Sequence, residues 1–131
     1  HHRLAEGTRR AVKAWGLEVL CVNPAEYSGS LTAVVMPEGH DADRLRATIL
    51  DAFDMSLGTG LGRLAGKVFR IGHLGHFNDL TLAGTLAGVE MGLSLAGVPH
   101  EAGGTQTALD FLASSAAGAA HGTKPKAAAS A

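Results

Sequence analysis

The sequence is poor in cysteine and aromatic residues, and it has almost no net charge. Cys21 is the one cysteine among 131 residues, so no intramolecular disulfide can form and we expect a reducing, cytoplasmic compartment. Eleven basic and twelve acidic residues leave a formal net charge of −1, which provides no electrostatic attraction to nucleic acid or to an anionic membrane. We therefore expect neither nucleic acid nor a membrane as a partner.

Two kinds of signal are also missing. The chain starts at His1, and no charged segment followed by an apolar run is present, so we expect no signal peptide and a chain that begins within a longer protein. His73 and His76 are three residues apart, but a glycine turn separates them and no carboxylate or thiolate set completes a ligand group. The sequence therefore predicts no metal site, and it presents no arrangement of serine, histidine and aspartate typical of a catalytic triad.

The hydrophobic pattern predicts a small α+β domain. Helices are expected at residues 1–15, after an N-cap at Asp41, at 78–96 and, briefly, at 105–113. Strands are expected at residues 17–22, 30–36, 55–57 and 68–71. This order favours two layers, in which helices pack on a largely antiparallel sheet of three or four strands. From residue 114 the composition is Ala, Gly, Ser and Lys without apolar periodicity, so we divide the chain into a domain at 1–113 and a disordered tail at 114–131.

The helical segments have predictable buried faces. The helix after Asp41 should bury Leu45, Ile49, Ala52 and Phe53. The helix at 78–96 should bury Leu82, Leu86, Val89 and Leu93. Gly84, Gly88 and Gly92 are spaced four apart, which indicates close helix packing in a globular fold, because Asp79 and Glu90 interrupt the apolar span. We interpret Asp51, Asp54 and Glu90 as charges on helix surfaces.

A glycine-rich loop occupies residues 58–62, as Gly58, Thr59, Gly60, Leu61 and Gly62. A strand follows it, whereas a dinucleotide-binding fingerprint would open a helix, and the loop lacks the Gly-Lys-Ser/Thr end of a phosphate-binding P-loop. Two interpretations stay open. The loop is either a flexible connection or a segment whose backbone passes close to a ligand.

Arg70 lies in the strand that follows this loop. If Phe69 and Ile71 face the core, Arg70 points to the opposite face, because side chains alternate along a strand. Its guanidinium is always charged and can donate two parallel hydrogen bonds to a carboxylate or phosphate. The alternatives are a solvated strand residue and an ion-pair partner for Asp79.

The segment Gly60-Leu61-Gly62, followed by Gly66-Lys67-Val68-Phe69-Arg70-Ile71-Gly72-His73-Leu74-Gly75, resembles the C-terminal domain of class V aminotransferases. These are pyridoxal-phosphate enzymes of fold type I, and the serine–glyoxylate and alanine–glyoxylate aminotransferases are the most similar group. The stretches at 3–17, 32–39 and 78–98 also resemble this family, so the similarity covers roughly residues 3 to 113.

The resemblance implies a function for these residues. Arg70 would bind the α-carboxylate of a small amino-acid or keto-acid substrate, and the loop at 58–62 would lie over the mouth of the active site. It also implies pyridoxal 5′-phosphate as cofactor, and a homodimer with active sites between large and small domains. The family's Schiff-base lysine belongs to an N-terminal large domain that this sequence lacks; Lys13, Lys67, Lys124 and Lys126 do not lie in its motif.

We therefore expect no catalytic residue in this chain and no activity from the chain alone. The full-length enzyme would be a transaminase acting on serine and glyoxylate. One alternative is a non-catalytic module that binds small carboxylates through Arg70. The other is the small domain of a different class V enzyme, such as a desulfurase, lyase or hydrolase.

Overall fold

The computed structural model describes residues 2–20, 31–72 and 78–121, with side chains described up to residue 116. Its elements, in chain order, are α1 (His2–Ala14), β1 (Glu18–Val19), β2 (Leu31–Val35), α2 (Ala42–Phe53), β3 (Gly58–Thr59), β4 (Val68–Gly72), α3 (Asp79–Leu95) and α4 (Gly104–His121). A single 3-10 turn, Gly62–Leu64, lies between β3 and β4.

The four strands form one antiparallel sheet in the order β1-β2-β4-β3. Ile71 is paired with Thr32 and Phe69 with Val34, and all four side chains are buried on one face of the sheet. Helices cover that face, and Trp15, Leu45, Leu86 and Leu93 complete the core beneath it. The predicted α+β class with a small antiparallel sheet is confirmed.

Helix starts and stops follow the local sequence. Asp41 is the N-cap of α2 and its carboxylate accepts a hydrogen bond from the backbone N–H of Asp43 at 2.9 Å. Asn78 performs the same function for α3, where its side chain accepts from the N–H of Thr81 at 2.8 Å. Gly16 and Gly97 follow the ends of α1 and α3 with φ values of +82° and +71°, which glycine adopts at no steric cost.

The helix α3 has close neighbours at two of its three spaced glycines. A Cβ at Gly88 would lie 2.9 Å from the Cε of Met55, and one at Gly92 would lie 2.6 Å from the Cδ1 of Ile49. Gly84 has no such neighbour within 4 Å. Close packing against another helix is therefore confirmed at Gly92. Gly88 packs against Met55, just after the end of α2, and the prediction was wrong at Gly84.

Two predictions about the middle of the chain were wrong. Residues 55–57 are not a strand; the strand forms at Gly58 and Thr59, because these residues pair with Arg70 and Phe69 of β4. Ala52 and Phe53 do not belong to the buried face of α2, because both are exposed in its last turn. Buried instead are Ala42, Leu45 and Ile49.

The ends of the strands and of the last helix also differ from expectation. β1 is shorter than predicted, although the N–H of Leu20 continues the pairing by donating to the carbonyl of Ala33 at 2.9 Å. Helix α4 runs to His121, past the boundary predicted at residue 113, because alanine favours helix and no proline interrupts the run. In this additional part of α4, Ser115 accepts a hydrogen bond from Arg3 Nε at 2.7 Å. Residues 122–131 of the predicted tail lie outside the described residues, as do residues 21, 22 and 30 of the predicted strands.

None of the helices in the described ranges is long and apolar enough to cross a membrane.

Candidate functional site

Arg70 lies at the centre of β4, between Ala33 of β2 and Gly58 of β3. Phe69 and Ile71 on either side are fully buried, and Arg70 is half-buried on the opposite face of the sheet. This is the alternation predicted from the sequence. The backbone of Arg70 is therefore fixed in a hydrogen-bonded ladder, while its side chain is directed away from the core.

The Arg70 guanidinium is held by the neighbouring strand. The backbone carbonyl of Thr59 accepts hydrogen bonds from Nε at 3.0 Å and from Nη2 at 2.7 Å. A carbonyl is a neutral acceptor, so it orients the guanidinium without cancelling its charge. Among residues 2–20, 31–72 and 78–116, no carboxylate forms an ion pair with Arg70. Such a group is chemically suited to bind an anion.

Asp79 is not the partner of Arg70, which was one of the alternatives left open by the sequence. It pairs with Arg3, whose Nη1 donates to Asp79 Oδ1 at 2.8 Å. This ion pair lowers the pKa of Asp79, chiefly through the hydrogen bond from Arg3. The pair joins α1 to α3 and is structural.

The glycines at the start of the loop are required by close packing. A Cβ at Gly58 would lie 3.1 Å from the Cβ of Arg70, so its absence leaves space for the arginine side chain to cross β3. A Cβ at Gly60 would lie 2.6 Å from the Cγ2 of Val68. Gly62 has a φ of +57°, which favours glycine, and Leu61 is 69% exposed. Gly60 is thus buried and tightly packed while Gly58 is exposed, and contact between this loop and a ligand stays a prediction.

Two residues of α2 contact the same strand, and sequence reasoning missed them. Arg46 Nε donates to the carbonyl of Leu57 at 2.8 Å, and its Nη1 lies 3.3 Å from Asp43 Oδ1. The hydroxyl of Thr59 has two acceptors for its one hydrogen, the same Asp43 oxygen at 3.3 Å and the carbonyl of Gly60 at 3.1 Å. Asp43 and Arg46 are three residues apart on a helix, so an ion pair between them can be recognised from the sequence. The sequence around them does not indicate that β3 lies beside the pair.

Sequence reasoning also misjudged Glu90. Its carboxylate is half-buried and accepts hydrogen bonds from Trp15 Nε1 at 2.9 Å, from the N–H of Gly103 at 2.8 Å and from the N–H of Thr105 at 2.9 Å. Burial raises the pKa of Glu90, but the hydrogen bonds from Trp15, Gly103 and Thr105 outweigh it and lower the pKa to about 2. Glu90 therefore caps the first turn of α4 and is not a simple surface charge.

The other candidate residues do not add to the Arg70 site. Lys13 and Lys67 are exposed, and Lys124 and Lys126 lie outside the described residues. His73, His76 and Cys21 also lie outside them. In the part of the chain that the structure describes, no group of three or more His, Cys, Asp or Glu side chains could hold a metal ion.

Comparison with known proteins relates the chain to aminotransferases. It is 48% identical over 103 residues to L-aspartate–glyoxylate aminotransferase of Paracoccus denitrificans, a match that covers 79% of this chain and 26% of the relative. It is 40% identical over 127 residues to serine–glyoxylate aminotransferase of Hyphomicrobium methylovorum, covering 96% of this chain and 31% of the relative. No family model matches the sequence.

Solved structures agree with these relatives. Pyridoxamine–pyruvate aminotransferase from Mesorhizobium loti superposes with a TM-score of 0.81 at 28% identity, covering 88% of this chain and 30% of that one. Ureidoglycine–glyoxylate aminotransferase from Bacillus subtilis gives a TM-score of 0.78 at 30% identity, covering 85% and 29%.

The chain thus spans between a quarter and a third of the length of the relatives it matches. The two sequence relatives and the two solved structures named above are all aminotransferases. On these similarities, the chain belongs to the class V family of pyridoxal-phosphate-dependent aminotransferases.

Proposed function

We propose that this chain is the small, C-terminal domain of a glyoxylate aminotransferase, and that Arg70 binds the α-carboxylate of its amino-acid and keto-acid substrates. The longer protein that contains it transfers an amino group from a donor, which we propose is serine, to glyoxylate. The names of relatives such as the Hyphomicrobium methylovorum enzyme support transamination over desulfurase, lyase or hydrolase chemistry. We also propose a homodimer in the cytoplasm.

The observation that carries the proposal is the state of the Arg70 guanidinium. Two of its N–H groups are committed to the Thr59 carbonyl, which sets the plane of the group. Its charge is not neutralised by any carboxylate among the described residues. Since both substrates of a transaminase carry an α-carboxylate, one fixed cation would orient each of them in turn.

The described residues do not form a site for pyridoxal 5′-phosphate. When bound, this cofactor carries the amino group between the two substrates, and it needs a lysine for its imine and a carboxylate near its ring nitrogen. Lys13 and Lys67 are exposed on the surface. We therefore assign cofactor binding to the rest of the longer protein and substrate orientation to this domain.

Steady-state kinetics of the full-length protein test this proposal. Arg70→Ala should raise KM for both glyoxylate and the amino donor by about tenfold or more, because a charge-assisted hydrogen bond to the carboxylate is lost from each complex. Arg44→Ala is the matched control, since Arg44 is exposed on α2 and forms no ion pair with the described residues. Unchanged KM and kcat for both substrates in Arg70→Ala would contradict the assignment.

Calorimetry distinguishes the proposed enzyme domain from the remaining alternative, a carboxylate-binding module without enzymatic function. The 131-residue chain is titrated with glyoxylate and with serine. As a domain whose site is completed elsewhere, it should bind neither with micromolar affinity. Micromolar binding that Arg70→Ala abolishes would favour the module instead.

A further inference from the structure

We propose that Arg46 of α2, together with Asp43, is a positioning residue for the Arg70 site. This proposal rests on the function proposed above. Arg46 does not contact Arg70. It fixes the start of β3, and β3 in turn supplies the carbonyl that orients the Arg70 guanidinium.

The contacts run from helix to strand to arginine. Arg46 Nε donates to the Leu57 carbonyl at 2.8 Å, immediately before β3 begins at Gly58. Two residues later, the Thr59 carbonyl accepts from both Nε and Nη2 of Arg70. Leu57 is buried, so its carbonyl is held in a fixed environment and the bond to Arg46 is partly shielded from water.

Strand β3 needs such a support because it is only two residues long. It lies at the edge of the sheet and pairs with β4 alone, through Gly58 with Arg70 and Thr59 with Phe69. So short a strand has few ladder hydrogen bonds of its own to fix its position. A shift of the Thr59 carbonyl by roughly one ångström would take both contacts to Arg70 beyond hydrogen-bond distance.

Asp43 supports the same arrangement from the first turn of α2. Its Oδ1 accepts from Arg46 Nη1 at 3.3 Å and lies 3.3 Å from the Thr59 hydroxyl, whose single hydrogen also has the carbonyl of Gly60 as an acceptor at 3.1 Å. Asp43 is exposed, so these contacts are weaker than the bond from Arg46 to Leu57. We therefore expect Asp43 to contribute less than Arg46, and in the same direction.

Substitution of Arg46 in the full-length protein tests the inference. Arg46→Gln should raise KM for both the amino donor and glyoxylate about fivefold, with kcat changed less than about twofold, because the carboxylate site is misoriented and the reacting groups are untouched. Arg46→Lys, which can still donate one hydrogen bond to Leu57, should recover part of the loss. Arg44→Gln removes an exposed cation from the same helix and should leave both KM values unchanged.

A second substitution separates this inference from the proposed function. In an Arg70→Gln background, adding Arg46→Gln should raise KM no further, because Arg46 acts through Arg70. If Arg70→Gln raises both KM values and Arg46→Gln raises neither, the positioning role is wrong and the proposed function stands. If Arg70→Gln itself has no effect, the proposed function is wrong. Should Arg46→Gln fail to fold, Asp43→Ala, which removes the acceptor oxygen, replaces it, and unchanged KM values in that variant overturn the inference.

Discussion

Glu90 accepts a hydrogen bond from the indole Nε1 of Trp15 at 2.9 Å, across the interface between α3 and the end of α1. The same carboxylate caps α4 through the N–H groups of Gly103 and Thr105. Three helices therefore meet at one ionised side chain. The fully buried Trp15 has its single polar atom satisfied there, which is the usual requirement for a buried indole.

The Glu90 contacts predict a stability that depends on acid pH. Its pKa is about 2 in the folded chain, below the ordinary value of 4.5. A depressed carboxyl pKa stabilises the folded state fully above the unfolded pKa, and this contribution disappears as pH falls from 4.5 towards 2. Urea unfolding of the wild-type chain and of Glu90→Gln should therefore differ at pH 7, by about 1–2 kcal/mol, and converge near pH 2. A difference that stays constant over this range would contradict the account.

The ion pair between Arg3 and Asp79 predicts a second, smaller effect on stability. Arg3 also donates to the Leu112 carbonyl at 3.0 Å and to Ser115 at 2.7 Å, so it joins α1, α3 and α4. Arg3→Gln should lower the free energy of unfolding by about 1 kcal/mol, because the pair is partly exposed and screened. The exposed Lys13 on the same helix is the control, and Lys13→Gln should leave the urea midpoint unchanged. Equal effects of the two substitutions would refute the role of Arg3.

The glycines of α3 predict opposite effects for the same substitution. Gly84→Ala should raise the free energy of unfolding by about 0.5–1 kcal/mol, because alanine favours helix and the position is open. Gly92→Ala should lower it by about 1–3 kcal/mol, since the new Cβ would overlap the fully buried Ile49. Thermal unfolding of both variants checks this pair. Stabilisation by both substitutions would mean that α2 and α3 do not approach as closely as described.

Sequence reasoning found what depends on alternation and local turn chemistry. Phe69 and Ile71 face the core and Arg70 does not, because strand periodicity alone settles that question. Asp41 was found as an N-cap because the capping residue and the helix it starts are adjacent in the chain.

What the sequence could not provide are the contacts between distant segments. The strand at Gly58 and Thr59 has one β-branched side chain and a glycine, too little for a local strand signal, and it forms because it pairs with β4. Glu90 resembles a surface charge on its own helix. It becomes a cap only because the fold brings Trp15 and the start of α4 to it, which no local pattern reveals.

Selectivity between an acid and its amide tests the central claim most directly. Binding of a non-reactive carboxylate analogue of the substrate, and of the matching neutral carboxamide, is measured on the full-length wild-type protein and on Arg70→Gln. We predict that the wild-type protein prefers the carboxylate by about tenfold or more, and that Arg70→Gln loses this preference while still binding the amide. An undiminished preference for the carboxylate in Arg70→Gln would show that another group binds the substrate acid.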